Sequence, residues 1–492
     1  MEEEYIKLIF GLKLKQIRTD KNLSLFGLSK LTGLSKSYLN EIEKGKKYPK
    51  TDKIVLLAEA LDVPYDQMVS LKLDKNLAPI GEILQSKILK EIPLNLFGIQ
   101  ESDLIDIIAE APAKVNAFIS TIIEIAQNYN FSKESFYLAS LRSFQEANNN
   151  YFDELEHKAL SFARAYQIDV TKPVSSKELE EILIEEYGYT INEKELNEHH
   201  ELHNLRSVFV PKTKTLLLAK EMDDAQKAFI FGKEIGCNYL NYKERLYTFS
   251  WIKFENFEQV LNNFYASYFA GALLLNKQQL TDDLTELFSK SFFDRALFLE
   301  LLHKYNASPE TFFQRLTNIL PNEFGLSNLF FLRFTHKKGS SKFHLTKELH
   351  LSHQHAPHAN ETNEHYCRRW VSLKVLQEIT QKENDHVFDL QISHYPSDEQ
   401  SYAVISSATK DPFKENYYRS ISIGILIDRQ SKRKINFLAD PKIQVNNVSV
   451  TCESCHIKDC KERVAEPINI EKQQRNKTIE KVVLELTQKF SK

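Results

Sequence analysis

The segment Leu23–Lys50 constrains the fold more than any other part of this 492-residue chain. Its sequence, LSLFGLSKLTGLSKSYLNEIEKGKKYPK, predicts two short helices joined by a tight turn. Ser24 can cap the first helix and Ser35 the second, while Gly33 suits the left-handed backbone of the turn and Gly45 ends the second helix. The apolar positions predicted to be buried in the first helix are Leu25, Leu28 and Leu31.

The second helix has a buried face and a polar face. Leu39 and Ile42 are predicted to point inward. A helix-turn-helix places the N-terminal half of its second helix in the major groove of double-stranded DNA, where side chains reach base edges. The residues predicted to contact bases are Lys36, Ser37, Asn40 and Glu41, and those predicted to contact phosphates are Lys44, Lys46 and Lys47. Glu41 can accept from cytosine N4 and Lys36 can donate to guanine.

The charge distribution supports DNA binding by this segment. Between Lys13 and Lys53 there are eleven Lys/Arg and four Asp/Glu residues, a net charge of +7. The whole chain carries −3, so the residues outside this window sum to −10. A basic patch in an otherwise acidic protein is typical of a phosphate-binding face.

The same segment resembles the Cro/repressor-like (XRE) helix-turn-helix family. The family pattern is S-x-x-x-L-x-x-x-x-G-x-S-x-S-Y-[IL]-x-x-I-E-x-G-x-x-x-P, and the chain matches it from Ser24 to Pro49. Two positions depart from it, since Leu25 replaces the usual Gln and Ser29 the usual Ala. The resemblance implies a five-helix DNA-binding domain.

Length predicts several domains, because 492 residues exceed what one hydrophobic core supports. The predicted fold is multidomain and mainly α, with an α+β C-terminal part. The predicted divisions are a helix-turn-helix domain at 6–72, a helical connector with a possible dimerisation role at 73–170, a peptidase-like domain at 171–325, an α+β Cys-bearing sensor domain at 326–467, and a C-terminal helix at 468–492.

Composition indicates a cytoplasmic protein. Five Cys in so long a chain fit a reducing compartment better than a disulfide scaffold, and no apolar run reaches the ~18–20 residues of a membrane span. The acidic N-terminus is unlike a secretory signal. Because a helix-turn-helix that reads a half-site usually works as a two-fold dimer, we expect a homodimer without membrane contact.

The middle of the chain resembles the ImmA/IrrE metallopeptidase-like domain. In that family a helix carries H-E-x-x-H, in which two His share a zinc ion and Glu activates water. The matching positions here are Lys233, Glu234 and Cys237, and Tyr265 aligns with a further Glu ligand. The resemblance therefore implies a degenerate domain, a pseudo-peptidase without catalytic residues. The alternative is a zinc metallopeptidase that cleaves a repressor.

The C-terminal part carries CESCHIKDCKERVAEP, which resembles the end of the short-chain fatty acyl-CoA regulator family. That resemblance extends over most of the chain and implies an acyl-CoA or related metabolite as effector. Its most specific residues are Cys452, Cys455, Asp459, Cys460 and Arg463. The three Cys of this loop with Cys367 suit zinc or an iron–sulfur cluster, with His456 as an alternative fourth ligand. Reduced thiols without metal, and a redox-sensing cluster, remain alternatives.

These features together predict a DNA-binding transcriptional regulator that is not an enzyme. The large region behind the DNA-binding domain is expected to respond to a short-chain acyl-CoA or related metabolite. The sequence leaves the operator, the effector and the metal open.

Overall fold

The computed structural model describes residues 2–70, 133–202, 205–220, 222–247, 254–351, 364–382 and 385–490. Within them the chain divides into two compact units, 1–140 and 141–492. This division is coarser than the five predicted domains, which remain predictions. The connector predicted at 73–170 lies outside the described residues up to position 132. None of the described helices is long and apolar enough to cross a membrane.

The first unit holds five short helices at the N-terminus, as the sequence predicted. They are α1 (Glu2–Asp20), α2 (Leu25–Thr32), α3 (Lys36–Glu43), α4 (Thr51–Ala60) and α5 (Tyr65–Val69). Their shared core includes Phe10, Leu14, Leu28, Leu39, Ile42, Ile54, Leu57 and Leu61. Lys13 is buried in α1 and donates from Nζ to the carbonyl of Gln67 at 2.9 Å, which satisfies a carbonyl group of α5.

Helices and a small sheet form the first half of the second unit. Its elements are α6 (Lys133–Ala147, which begins in the first unit), α7 (Asp153–Ala165), α8 (Ser176–Glu185), β1 (Thr190–Asn192), α9 (Glu195–Glu198), a 3-10 turn (His200–Leu202), β2 (Ser207–Val210), β3 (Thr215–Leu218), α10 (Asp224–Tyr239), α11 (Phe257–Leu274), α12 (Lys277–Ser289), α13 (Arg295–Lys304) and α14 (Pro309–Phe324). Strands β2 and β3 form an antiparallel hairpin, and β1 extends it by pairing with β3 in parallel.

A six-stranded sheet dominates the second half. The elements are β4 (Leu329–Lys337), β5 (Phe343–His350), α15 (Val371–Lys382), β6 (His386–Tyr395), β7 (Gln400–Lys410), β8 (Tyr417–Leu426), α16 (Arg429–Lys434), a 3-10 turn (Asn436–Ala439), β9 (Gln444–Asn447) and α17 (Ile468–Phe490). The strand order is β5-β4-β8-β7-β6-β9. All pairs are antiparallel except β6–β9.

Both faces of this sheet are covered, which explains why its strands are apolar on successive residues. Along β4, Phe330, Leu332 and Phe334 pack with α15, whereas Leu329 and Phe331 belong to the core shared with the helices that include α14. This alternation follows the two-residue repeat of a strand. The predicted α+β architecture is confirmed.

Candidate nucleic-acid interface

The N-terminal half of α3 presents polar side chains on a capped helix. The Ser35 hydroxyl accepts from the backbone N–H of Tyr38 at 3.2 Å, which fixes the first turn. Lys36, Ser37 and Asn40 are exposed, and Leu39 and Ile42 are fully buried on the opposite face. The helix therefore offers its polar face to solvent, as the sequence predicted.

The turn between α2 and α3 is held by local bonds. Gly33 has φ +69°, the left-handed conformation that the sequence predicted. Ser24 caps α2 by accepting from Gly27 N at 3.0 Å, and the Ser29 hydroxyl donates to the Leu34 carbonyl at 2.6 Å across the turn. These contacts set the orientation of α3 against α2.

A largely buried ion pair fixes the C-terminal end of α3 to α1. Arg18 donates from Nε and Nη2 to the Glu43 carboxylate at 2.6 and 2.9 Å, and from Nη1 to the Leu23 carbonyl at 2.7 Å. The hydrogen bond with Glu43 raises the pKa of Arg18 above its ordinary value. A bidentate pair of this kind restricts both side chains to one geometry, so α3 is held rigidly.

Two of the predicted DNA-contacting residues, Glu41 and Lys47, form an ion pair with each other. Lys47 Nζ lies 2.8 Å from Glu41 Oε2, and the pKa of Lys47 is raised by its hydrogen bond with Glu41. Lys46 is exposed, whereas Lys44 is half-buried. The structure thus places all seven predicted contact residues on or directly after α3.

One expectation for α2 is wrong. Leu31 was predicted to be buried, but 58% of it is exposed, and Phe26 is exposed to the same extent. Leu25, Leu28 and Leu31 are spaced three residues apart, which is less than one full turn of the helix. Their side chains therefore drift around the helix axis, and Leu31 no longer faces the core. Thr32, four residues after Leu28, occupies the buried position instead.

Two glycines of this domain are expected to respond oppositely to alanine. A Cβ at Gly11 would lie 2.2 Å from the backbone oxygen of Ile42 in α3, so Gly11→Ala must separate α1 from α3. At Gly27 the nearest atom would be the Ser24 hydroxyl oxygen at 3.4 Å, which is an ordinary van der Waals distance. We expect Gly11→Ala to lower the free energy of unfolding by about 3 kcal/mol or more, and Gly27→Ala to raise it by about 0.5–1 kcal/mol.

Hydrogen exchange of peptides within residues 2–70 of the full chain measures both effects. Each variant is the control for the other, because both replacements add one methyl group to a helix. Equal exchange rates in the two variants would contradict the close approach of α1 and α3.

The Cys-bearing loop is organised by one guanidinium. Arg463 donates to the carbonyls of Cys452 at 3.1 Å, Cys455 at 3.3 Å and Ile457 at 2.6 Å. Cys452 and Cys455 are buried, as is Cys367, whose backbone N–H donates to Val450 at 3.0 Å beside this loop. Burial raises the pKa of the Cys367 thiol to about 11, with Cys452 and Cys455 contributing.

The thiols as placed do not form a metal site. Among the residues that the structure describes, no group of three or more His, Cys, Asp or Glu side chains is arranged to hold a metal ion. The four-Cys site at Cys367, Cys452, Cys455 and Cys460, with zinc or an iron–sulfur cluster, stays a prediction.

The positions that the resemblance assigns to a degenerate peptidase site lie in a packed polar cluster. Lys233, Glu234 and Cys237 are buried in α10. Glu234 is 3.1 Å from Arg245 and accepts from the Tyr189 hydroxyl at 3.0 Å. Burial lowers the pKa of Lys233 and raises that of Cys237.

Tyr265 is half-buried in α11 and stacks on Tyr242 with ring centroids 6.1 Å apart. With Lys233 and Cys237 in place of imidazoles, the described part of α10 offers no His to a metal. The carboxylate of Glu234 is held by Arg245 and the Tyr189 hydroxyl.

Comparison with known proteins identifies the N-terminal domain. Residues 14–68 match the family described as Helix-turn-helix. No curated protein matches the chain. A solved structure, a Mycobacterium tuberculosis transcriptional regulator, is similar at 18% identity and a TM-score of 0.47, over 67% of this chain and 93% of its own length. A similarity at that level carries no argument about function. The domain match and the geometry of α2 and α3 show that this domain is an XRE-type helix-turn-helix, a DNA-binding domain.

Proposed function

We propose that the protein regulates transcription by inserting α3 into the major groove, with Lys36, Ser37, Asn40 and Glu41 at base edges. The observation that carries this proposal is the exposed N-terminal half of α3 on a support fixed by the Arg18–Glu43 pair. A helix that is already held rigidly loses little additional backbone freedom on binding, which favours specific contacts.

Phosphate contacts are assigned to Lys44, Lys46 and Lys47, which follow the exposed half of α3. Such contacts set the register of the domain on the duplex without reading sequence. The net charge of +7 between Lys13 and Lys53 supports the assignment. The acidic remainder of the chain is expected to stay away from the duplex.

The Glu41–Lys47 pair gives these two residues a specific role in recognition. Free Glu41 would be repelled by phosphates, but its 2.8 Å contact with Lys47 partly neutralises it. Docking lets a phosphate draw Lys47 away and leaves Glu41 to accept from cytosine N4. A site without cytosine at that position then leaves a desolvated carboxylate unpaired, which is unfavourable.

The larger unit is proposed to control this binding as a homodimeric, non-enzymatic sensor. On the resemblance to the short-chain fatty acyl-CoA regulator family, the effector is a short-chain acyl-CoA or related metabolite. Its ImmA/IrrE-like part is proposed to act structurally, which the commitment of Glu234 to Arg245 supports. Adding acyl-CoA to the full chain should change its operator affinity, whereas the matching free carboxylic acid should not.

Alanine substitutions on α3 test the base contacts. A cognate duplex is first selected from a random library with the full chain. Asn40→Ala and Lys36→Ala are each expected to weaken binding to it by about 5- to 150-fold and to relax preference at one base pair. Lys46→Ala is expected to weaken binding to every duplex alike and to reduce the salt slope by about one.

The matched control is Lys382→Ala, which removes an exposed lysine in the second unit. It should leave both affinity and salt slope unchanged. Unaltered base preference in Asn40→Ala and Lys36→Ala would contradict the proposed reading of bases by α3.

A further inference from the structure

A cluster of cations lies on one face of the six-stranded sheet. In the register of β4 with its neighbours, Arg333 is opposite Lys347 of β5, and Arg419 of β8 lies diagonally two residues from the partner of Arg333. Residues at such positions share a face. This is the face that packs against α14, since Phe331 of the same β4 face lies in the core shared with that helix.

One carboxylate, Glu310 in the first turn of α14, lies at the centre of these cations. Its Oε1 is 2.8 Å from Arg333 Nη1 and 3.8 Å from Lys347 Nζ, and its Oε2 is 3.9 Å from Arg419 Nη1. Of these three contacts with cations, only the one with Arg333 is a hydrogen bond. Glu310 therefore neutralises one guanidinium well and the other cations poorly.

Arg206, just before β2, adds a fourth positive charge. It interacts electrostatically with Glu310, Arg333 and Arg419, and its guanidinium lies 5.1 Å from the centre of the Phe413 ring. The acidic groups facing it are Glu310 and Asp411. Around Glu310 itself, Arg333, Lys347 and Arg419 bring three positive charges to one carboxylate, which is an excess of two positive charges.

This excess is held where water screens it weakly. Arg419 and Glu310 have side chains only 10% and 14% exposed. Burial, together with the neighbouring Arg419 and Arg333, lowers the pKa of Arg206 to about 10 against the opposing effect of Glu310. The N-terminus of the 16-residue helix α14 adds its partial positive charge at the same place. Concentrating like charges in this way is unfavourable unless an anion completes the set.

We propose that the cluster formed by Arg206, Arg333, Lys347 and Arg419 around Glu310 binds the phosphate group of a small-molecule ligand. A phosphate monoester or diphosphate carries the two negative charges that are missing. Planar guanidinium groups match phosphate oxygens in bidentate geometry. Access is from the side of Lys347 and Arg333, whose side chains are 45% and 25% exposed.

The site gives Glu310 a defined part in ligand binding. Its carboxylate holds the cations together in the absence of ligand and competes with the incoming phosphate for Arg333. The inference needs neither DNA binding nor an acyl-CoA effector, because it rests only on charges within the second unit. It extends the proposed function by naming phosphate as the ligand chemistry of this unit.

Inorganic diphosphate is the probe, measured by calorimetry on the full chain at fixed ionic strength against sodium chloride. We expect saturable binding with one site per chain. Lys347→Gln, at the exposed edge, should weaken it about tenfold or more. Glu310→Gln should strengthen diphosphate binding. This variant should melt at a lower temperature than the unmodified chain, and added diphosphate should raise its melting temperature again. The control Lys382→Gln removes an exposed cation elsewhere and should bind like the unmodified chain.

Each alternative outcome overturns the proposal. Absence of saturable binding shows that the cluster is internally neutralised. Equal affinity of the Lys347→Gln variant places the diphosphate elsewhere. If Glu310→Gln loses stability and diphosphate restores none of it, the cluster has a structural role alone. If Lys347→Gln weakens binding to non-cognate duplex while diphosphate does not bind, the cations contact DNA instead. Lys347→Gln should still bind the operator. A negative diphosphate result would then be distinct from a failure of DNA recognition by α3.

Discussion

Glu43→Ala is expected to lower the free energy of unfolding of the helix-turn-helix domain by about 3 kcal/mol. The substitution leaves the Arg18 guanidinium largely buried with only the Leu23 carbonyl as a described partner, and the side chains of Arg18 and Glu43 are 12% and 6% exposed. A domain of this size has a free energy of unfolding of roughly 4–10 kcal/mol. The loss therefore removes a large share of its stability, and affinity should fall for every duplex.

Hydrogen exchange of peptides from residues 2–70 and duplex binding, both on the full chain, measure this effect. For the hydrogen-exchange measurement, Lys47→Ala is the matched control, because it breaks an ion pair to α3 that is exposed and should change stability little. For duplex binding the control is Lys382→Ala, which lies outside the proposed DNA-contacting residues. The double variant Arg18→Met/Glu43→Leu removes both buried charges and should be more stable than Glu43→Ala. If Glu43→Ala exchanges as slowly as Lys47→Ala, the Arg18–Glu43 pair does not hold α3 in place.

The helix-turn-helix could be predicted because its signals are local. Ser24 and Ser35 cap helices within three residues of themselves, and Gly33 adopts the backbone conformation that its missing side chain permits. Each of these residues is decided by its near neighbours in sequence. The strands of the C-terminal part were visible for the same reason, since their apolar pattern is a property of each strand alone.

The contacts that fix α3 could not be predicted in the same way. Arg18 and Glu43 are 25 positions apart and meet only because α1 crosses α3. The close approach of Gly11 to Ile42 depends on the same crossing, so its requirement for glycine has no local sign. Leu31 shows that a local pattern can also mislead. Its apolar spacing predicted burial, but the end of this short helix turns away from the core that its first residues contact.

The cation cluster around Glu310 was missed for a related reason. Arg206, Arg333, Lys347 and Arg419 are spread over more than 200 residues and look like ordinary surface charges in the sequence. Their proximity depends on the β4–β5 and β4–β8 registers and on the placement of α14. A charge alternating with apolar residues inside a covered strand, as Arg333 does in LFFLRFT, is the one sequence signal that could have drawn attention to it.

Arg315→Met is expected to cause the largest loss of stability in the second unit. Arg315 is 1% exposed and donates from Nη1 and Nη2 to the Glu156 carboxylate at 2.6 and 2.8 Å, and from Nε to the Leu275 carbonyl at 3.1 Å. Tyr268 donates to the same carboxylate at 2.7 Å. Removing the guanidinium leaves a buried carboxylate without its counter-charge, which costs about 3–5 kcal/mol.

The same pair should make the second unit sensitive to acid. Burial alone would raise the pKa of Glu156, but Arg315 and Tyr268 hold it below its ordinary value. A carboxyl group whose pKa is lowered on folding stabilises the fold above its unfolded pKa of about 4.3. That contribution is lost as the pH falls through the lower, folded pKa. We therefore expect unfolding to become easier below about pH 4, and this part of the pH dependence to be absent in Glu156→Gln.

Tryptophan fluorescence during urea unfolding of the full chain reports on this unit alone, because both tryptophans, Trp251 and Trp370, lie within residues 141–492. Lys304→Met is the matched control, since it breaks a more exposed ion pair, with Asp283, and should shift the urea midpoint little. A midpoint of Arg315→Met equal to that of Lys304→Met would contradict the argument. If instead Arg315→Met unfolds at much lower urea while Glu156→Leu/Arg315→Met recovers part of the loss, the cost lies in the stranded charge. The pair then fixes α14 against α7 in one arrangement and contributes little net stability, which is the usual balance for buried ion pairs.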